Sequence, residues 1–332
     1  MADCLIVGAG IAGLMAARLL HDRGWAVTVL DKAGGVGGRM ATRRIQQEAD
    51  QAIVDFGAQF FTVRSAAFER WVQQWQELGV VQEWSRGFAE GAEPYRPDGH
   101  ARYRGTIGMT GISKQLARGL DVRLRTAVRS VVKEETGWQI MTEDGESLTA
   151  DALIMTPPVP QSLALLAAGG VALPAGTQSA LEHIAYDPCL AVLAVLDGPS
   201  DVPAPGGLRP EHPIIYWLAD NQQKGISPLP AVTIHAGPDF SREHYAAAQE
   251  AATKEEVMQK ILAAAAPWLG ADVVSAQLHR WRYSAPVDVY AEPCLMVPGR
   301  YPLIFAGDAF AGPRVEGAAL SGRAAAWTLL FD

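Results

Sequence analysis

Cysteine is scarce in this chain of 332 residues: Cys4, Cys189 and Cys294 are the only three, widely spaced and without a Cys-x-x-Cys pair. That argues against a disulfide framework or a zinc site and suits a reducing compartment. No run of 18 apolar residues occurs, so no membrane span is expected. There is no basic leader with an apolar stretch and cleavage site, and the first apolar run is short and broken by glycine. A cytoplasmic protein is the expectation from these absences. Positive charge is in deficit, 28 Lys and Arg against 36 Asp and Glu, for a formal net charge of −8. Nonspecific nucleic-acid binding is therefore disfavoured. Repeats, heptads and low-complexity tails are absent. What remains is a chain with 49% apolar residues, long enough for two domains and a large core.

The densest signal runs from Cys4 to Arg39. An apolar run (Cys4 to Val7) leads into Gly8-Ala9-Gly10-Ile11-Ala12-Gly13, a helix-like segment from Leu14 to Arg23, and a second apolar run from Ala26 ending at Asp31-Lys32. This is the strand–turn–helix–strand pattern of a nucleotide-binding unit. Gly8 allows the tight turn, Gly10 the approach of a pyrophosphate, and Gly13 close packing of helix on sheet. Asp31 is placed to take ribose hydroxyls, and an acid there argues against a 2′-phosphate on that ribose. A second glycine cluster follows at once, Gly34-Gly35-Val36-Gly37-Gly38-Arg39-Met40. A plain NAD-binding fold does not need it. The segment resembles the N-terminal signature of the amine-oxidase-like FAD superfamily, in which this loop follows the FAD pyrophosphate and the arginine helps neutralise it. Arg39, Arg43 and Arg44 form a basic patch suited to such a phosphate-rich ligand.

Further along, Ser65 to Gly79 reads as an amphipathic helix, Gly87 to Gly111 as loops and short strands, and Ile112 to Arg118 as helical. From Val122 to Asp144 the pattern suggests adjacent strands with turns, and Ala152 to Met155 a buried strand stopped by Pro157. Tyr186 to Leu196, Ile214 to Leu218 and Ala231 to Ala236 are strand candidates. Ser241 to Leu269 reads as two helices. The end of the chain returns to a strand, Leu303 to Phe305, then Gly307-Asp308, and a helix opening at Val315-Glu316-Gly317. A helix N-terminus there would favour negative charge on a reduced flavin. Asp308 alone is also compatible with a simple helix cap.

Several blocks together, Gly35 to Arg44, Asp55-Phe56-Gly57-Ala58-Gln59-Phe60-Phe61-Thr62, Tyr186 to Cys189, His279 to Ser284 and Gly307-Asp308, resemble the renalase-type flavoproteins over nearly the whole length. The resemblance implies an α/β fold: a two-dinucleotide-binding, Rossmann-like FAD domain plus an α+β substrate domain with an antiparallel sheet, similar to p-hydroxybenzoate hydroxylase and amine oxidases. The FAD domain is expected over residues 1–65, 119–160 and 281–332, the substrate domain over 66–118 and 161–280. It implies non-covalent FAD, since no cysteine lies in the C-terminal motif. The cofactor residues expected are Gly8, Gly10, Ile11, Ala12, Gly13, Asp31, Lys32, Gly38, Arg39, Asp55, Phe56, Val128, Asp308, Val315 and Gly317. The implied reaction is oxidation of 2- and 6-dihydro isomers of NAD(P) by hydride transfer to flavin N5. Molecular oxygen is the partner and hydrogen peroxide the second product. No metal and no certain catalytic side chain is expected.

An amine oxidase or desaturase is the competing expectation. Such relatives carry a lysine near the flavin and an aromatic pair at the C-terminal motif. The segment Leu181 to Leu196 has no lysine, and no aromatic pair adjoins Gly317. Substrate contacts are expected from Gly57, Ala58, Gln59, Phe60 and Phe61 along the flavin face, Gln59 donating to a carboxamide. Tyr95, Arg96, Pro97 and Arg104 are expected to face a substrate pyrophosphate, with solvated surface the alternative for each arginine. Tyr186, His235 and Arg282 complete the set; a lone histidine in an apolar strand such as His235 is more often a satisfied core histidine, and Trp281 reads equally as packing.

Overall fold

The computed structural model describes residues 2–331 apart from 92, 94 and 311. Its centre is a six-stranded sheet in the order Leu295–Val297, Leu303–Phe305, Ala152–Met155, Asp3–Val7, Ala26–Asp31, Asp121–Leu124. Only the Leu295–Val297 edge is antiparallel. Ile6 pairs with Val29 on one side and Ile154 on the other. These central strands are buried on both faces, which is why they read as unbroken apolar runs rather than alternating ones. The helix Ile11–His21 covers one face with the last helix, Val315–Phe331. A three-stranded meander, Val128–Glu134, Gly137–Thr142 and Ser147–Ala150, covers the other.

A second sheet of six strands runs Val273–Pro286, Tyr186–Leu196, Ala231–Ala236, Ile215–Asp220, Gly207–Arg209, Ala89–Glu90. It is antiparallel except at the Ala89–Glu90 edge. Alternation in Tyr186–Leu196 splits its side chains between two cores. Val192, Ala194 and Leu196 meet the Ala251–Ala265 helix. Leu193 and Val195 meet Ile45, Ala52 and Val54 of the hairpin Thr42–Gln47/Asp50–Asp55.

The expected domain assignment of residues 66–118 does not match the packing. Ser65 caps the helix Ala66–Glu77 by accepting from the Phe68 amide, and Phe68, Val72 and Trp75 recur at helical spacing. They bury into the same core as Ile6, Leu14 and Met15, with Met109, Ile112 and Leu116. Each side chain such as Phe68 or Val72 contributes about 2 kcal/mol of burial. Among the described residues of this segment, only Ala89–Glu90 joins the second sheet. Likewise Val273–Pro286 stays in that sheet past the boundary expected at residue 281.

Candidate active site

The first sheet changes direction at Asp3–Val7: the next strand in sequence pairs on one side, and Ala152–Met155 on the other. Ligands bind outside the carboxyl ends of strands at such a point. Gly8 sits there with φ +102°, and a Cβ on Gly13 would fall 2.0 Å from the Gly8 carbonyl oxygen, so both glycines serve the packing of the chain itself. A Cβ on Gly10 would meet nothing within 4 Å. Gly10 faces a cavity of about 650 Å³ instead, beside Ile11 and Ala12. The helix Ile11–His21 begins at this wall without a side-chain cap, so its first N–H groups stand ready for an anion. Asp31 accepts from the Ala9 and Ala33 amides at 2.7 and 2.8 Å, which fixes its carboxylate at the end of the second strand.

Residues from both ends of the sequence close the cavity wall. Arg39 donates through two nitrogens to the two Asp308 oxygens, at 2.5 and 2.6 Å, and to the Tyr283 carbonyl at 3.3 Å. The last helix starts at the same wall with Val315 and Ala318. It crosses the first helix so closely that a Cβ on Gly322 would lie 2.0 Å from the Ala12 carbonyl oxygen. Buried Glu316 accepts from the Ser65 amide and hydroxyl at 2.8 and 2.6 Å, fastening the Ala66–Glu77 helix to this corner.

The far end is aromatic and cationic. Phe60 lies 5.7 Å from Trp217 and 5.1 Å from Phe88, ring centre to ring centre. Pairing of Ile215–Asp220 with Ala231–Ala236 skips a residue between Ile215 and Trp217. This bulge lets consecutive Tyr216 and Trp217 both line the cavity, where a regular strand would send them to opposite faces. Trp281 Nε1 and His235 Nε2 both donate to the Phe56 carbonyl, at 2.8 and 3.2 Å. Arg39, Arg64, Arg102, Arg209 and Arg314 all line the cavity, and Asp308 is the single carboxylate among its described lining residues. Burial pulls the His235 pKa down to about 4 and pushes the Cys189 thiol up to about 12. Both are uncharged near neutral pH.

Beneath the Gln59 wall lies a sealed ion pair. Lys224 Nζ donates to Asp55 Oδ2 at 2.7 Å, with both side chains 0% exposed. The other Asp55 oxygen accepts from Thr42 and from the Met109 amide, and the Asp55 carbonyl accepts from Thr233 at 2.7 Å. Burial lowers the Lys224 pKa, against the raising effect of Asp55.

Comparison with known proteins agrees with this geometry. The family model of flavin containing amine oxidoreductases matches residues 67–330, and that of the NAD(P)-binding Rossmann-like domain residues 6–78. The chain belongs to the flavin-containing amine oxidoreductase family. Mouse renalase is 25% identical over 298 residues, spanning 86% of this chain and 85% of the relative. Among solved structures, cyclohexylamine oxidase from Brevibacterium oxydans IH-35A has a TM-score of 0.72 at 15% identity, covering 99% of this chain and 98% of the other. Wild-type putrescine oxidase bound to putrescine has a TM-score of 0.71 at 17% identity, covering 100% and 99%. These two likenesses establish the fold.

This flavin-containing amine oxidoreductase takes FAD as cofactor, and the crevice fits it. The uncapped helix end and the open space at Gly10 suit a pyrophosphate, and Asp31 suits a ribose. Gly8, Gly13, Gly38, Asp31, Lys32 and Val128 are not among the lining residues of the cavity. Gly317 answers a packing need: a Cβ there would lie 2.2 Å from the Gly312 carbonyl oxygen. Arg39 departs from expectation, since its terminal nitrogens hold Asp308 instead of standing open for a pyrophosphate. Asp55 and Phe56 do not reach the cavity. Asp55 is consumed by Lys224, and Phe56 packs between His279 and Trp281 under the Arg43 guanidinium, 4.5 Å away.

Of the expected substrate residues, Gly57, Ala58, Gln59, Phe60, Phe61 and His235 line the cavity. Gln59 is not available to a carboxamide as a donor. Its amide nitrogen already serves the Asp55 and Gly57 carbonyls at 2.6 and 3.0 Å, which accounts for both of its protons. Tyr95, Arg96 and Pro97 lie on an exposed loop outside the lining, with Arg96 paired to Glu93 at 3.1 Å. Arg104 is buried away from the cavity, donating to the Gly105 and Thr106 carbonyls. Tyr186 stands behind Arg39, accepting from the Val159 amide. Arg282 points outward on the strand whose neighbour Trp281 faces in, and lies over the Tyr283 ring.

The sequence reading singled out none of Arg102, Arg209 and Trp217, which line the cavity, and gave no sign of Lys224. That lysine lies outside the segment searched for one, and its ammonium comes 3.5 Å from Gln59 Oε1. A lysine between Gln223 and Gly225 in a loop has no periodicity to betray its burial.

Proposed function

We propose that this flavin-dependent oxidoreductase oxidises 2- and 6-dihydro isomers of NAD(P) to NAD(P)+, with O2 reduced to H2O2. The observation that carries the reading is the charge of the cavity: five arginines and one carboxylate line it, and with Arg39 paired to that carboxylate and Arg102 to Asp98 outside the lining, Arg64, Arg209 and Arg314 remain to meet an anion. A protonated amine entering this space meets repulsion and finds no free acidic partner. A dinucleotide brings a diphosphate, which guanidinium groups bind in bidentate fashion. Bound FAD supplies the two-electron acceptor and passes the electrons to oxygen.

The chain's own residues then have orientation as their main task. Phe60, Trp217 and Trp281 offer flat apolar walls to a pyridine ring. Small Gly57 and Ala58 leave room for it. Neutral His235 and protonated Cys189 supply neither a strong base nor a strong acid, which suits a donor ring already primed to release hydride. A cytoplasmic setting belongs to this proposal, and the three widely spaced cysteines suit a reducing compartment.

Anaerobic mixing of the holoenzyme with 6-dihydro-NAD, and separately with putrescine and cyclohexylamine, tests it at the flavin absorbance band. Rapid bleaching by the dihydropyridine with none by the amines is expected. Bleaching by an amine and indifference to 6-dihydro-NAD would replace the reading with amine oxidation.

A further inference from the structure

The cavity described above does not end at its aromatic wall. A second cavity of about 470 Å³ adjoins it, and Arg209 and Tyr216 line both. The bulge at Tyr216 creates this junction, since it lets that residue line the first cavity along with Trp217. The Arg209 guanidinium lies 5.1 Å from the centre of the Tyr216 ring. Its nearest carboxylate, Glu90, is 3.9 Å away, too far for a hydrogen bond. Among the described residues its guanidinium makes no hydrogen bond, so its fork of donors is open at the boundary between the two spaces.

The second cavity has the chemistry of a nucleoside site. Pro210, Pro213 and Ile215 provide apolar surface. His212 Nδ1 accepts from the Ile214 and Ile215 amides at 3.1 and 3.2 Å, which places its proton on Nε2 as a donor. Glu90, Glu211 and Asp239 also line it, the last paired with Arg242, and such carboxylates supply acceptors of the kind that hold ribose hydroxyls, which leaves the anionic diphosphate to Arg209 at the junction.

Size makes the junction necessary. A space of about 650 Å³ that takes a flavin ring system and a pyridine ring has little left for a second nucleotide. Resting on the dihydronicotinamide reading, we propose that Arg209 binds the diphosphate of the dinucleotide substrate at this junction and that the second cavity receives its distal nucleoside. Arg209 then reads the substrate's length, holding a dinucleotide more tightly than a mononucleotide bearing the same reduced ring.

The test compares 6-dihydro-NAD with 6-dihydronicotinamide mononucleotide as anaerobic reductants of the holoenzyme. Wild type should half-saturate with the dinucleotide at a concentration at least about tenfold lower, the size expected of charged hydrogen bonds. Arg209→Ala should remove most of that preference. Glu211→Trp, which fills the second cavity from its exposed rim, should do the same. Adenosine diphosphate ribose should bind the wild-type holoenzyme in calorimetry and bind Arg209→Ala more weakly by a similar factor. Equal half-saturation by the two reductants in wild type, or a preference that survives both variants, overturns the subsite and leaves the dihydronicotinamide reading intact. Bleaching by neither reductant overturns that reading and the subsite with it.

Discussion

Two ion pairs stand on either side of the Phe56–Phe60 segment, and they are built to different ends. Arg39–Asp308 lies on the cavity wall, with side chains 28% and 14% exposed. Lys224–Asp55 lies under the floor, with both at 0%. The first joins motifs 269 residues apart in sequence and faces ligand. The second is absent from the cavity lining and ties Thr42 of the hairpin, the Met109 amide and Lys224, in the turn after Ile215–Asp220, to one carboxylate, while the Asp55 carbonyl holds Thr233. A pair near water can lose a member and let solvent replace it. A sealed pair leaves an uncompensated charge.

Substitutions sharpen that contrast, the largest effect first. Lys224→Met leaves Asp55 buried and unpaired, and should cost about 3–5 kcal/mol of unfolding free energy in a denaturant titration. Adding Asp55→Asn should recover part of that loss, because the stranded charge is gone. Arg104→Ala comes next, removing a buried guanidinium bonded to two carbonyls. Its expected cost is about 2 kcal/mol of stability, with half-saturation by substrate unchanged, a reversal of the expectation from sequence. Arg39→Ala should lower stability less than Lys224→Met but release flavin on dialysis, read from the 450 nm band. Equal destabilisation by the two would break the comparison.

The pH dependence is smaller. His235 and His279 have an ordinary pKa of 6.5, and burial holds both near 4 in the folded chain, with Arg43 adding to the effect at His279. Between these values the unfolded chain binds more protons. Their contribution to stability is therefore complete above about pH 6.5 and is lost as the pH falls toward 4. His235→Gln should flatten that slope in unfolding midpoints measured from pH 7 to 4. Arg96→Ala, breaking an exposed pair with Glu93, should change neither the unfolding midpoint nor half-saturation.

The cofactor end was legible because its signals are local. Gly8, Gly10 and Gly13 lie within one turn, and Asp31 ends the next strand. The strands Tyr186–Leu196 and Ala231–Ala236 were legible too, from their apolar β-branched texture. The substrate end was not, because its chemistry depends on which of two similar residues the fold turns inward. Arg102 faces the cavity and Arg104, two residues on, is buried below it; composition cannot separate them. Nor can periodicity reveal the bulge that lets Tyr216 and Trp217 both line the cavity, or the docking of Ala66–Glu77 against the last helix.

The crossing of the first and last helices at Gly322 and Ala12 sets an order of events during synthesis. A nascent chain already carries its glycine turn when the first thirty or so residues emerge, yet the opposite wall arrives only with Asp308 and the helix beyond it. Flavin capture is thus a late step, and a ribosome stalled before residue 308 would hold a chain with half a cradle. Pulse-labelled translation with and without added flavin would time that capture.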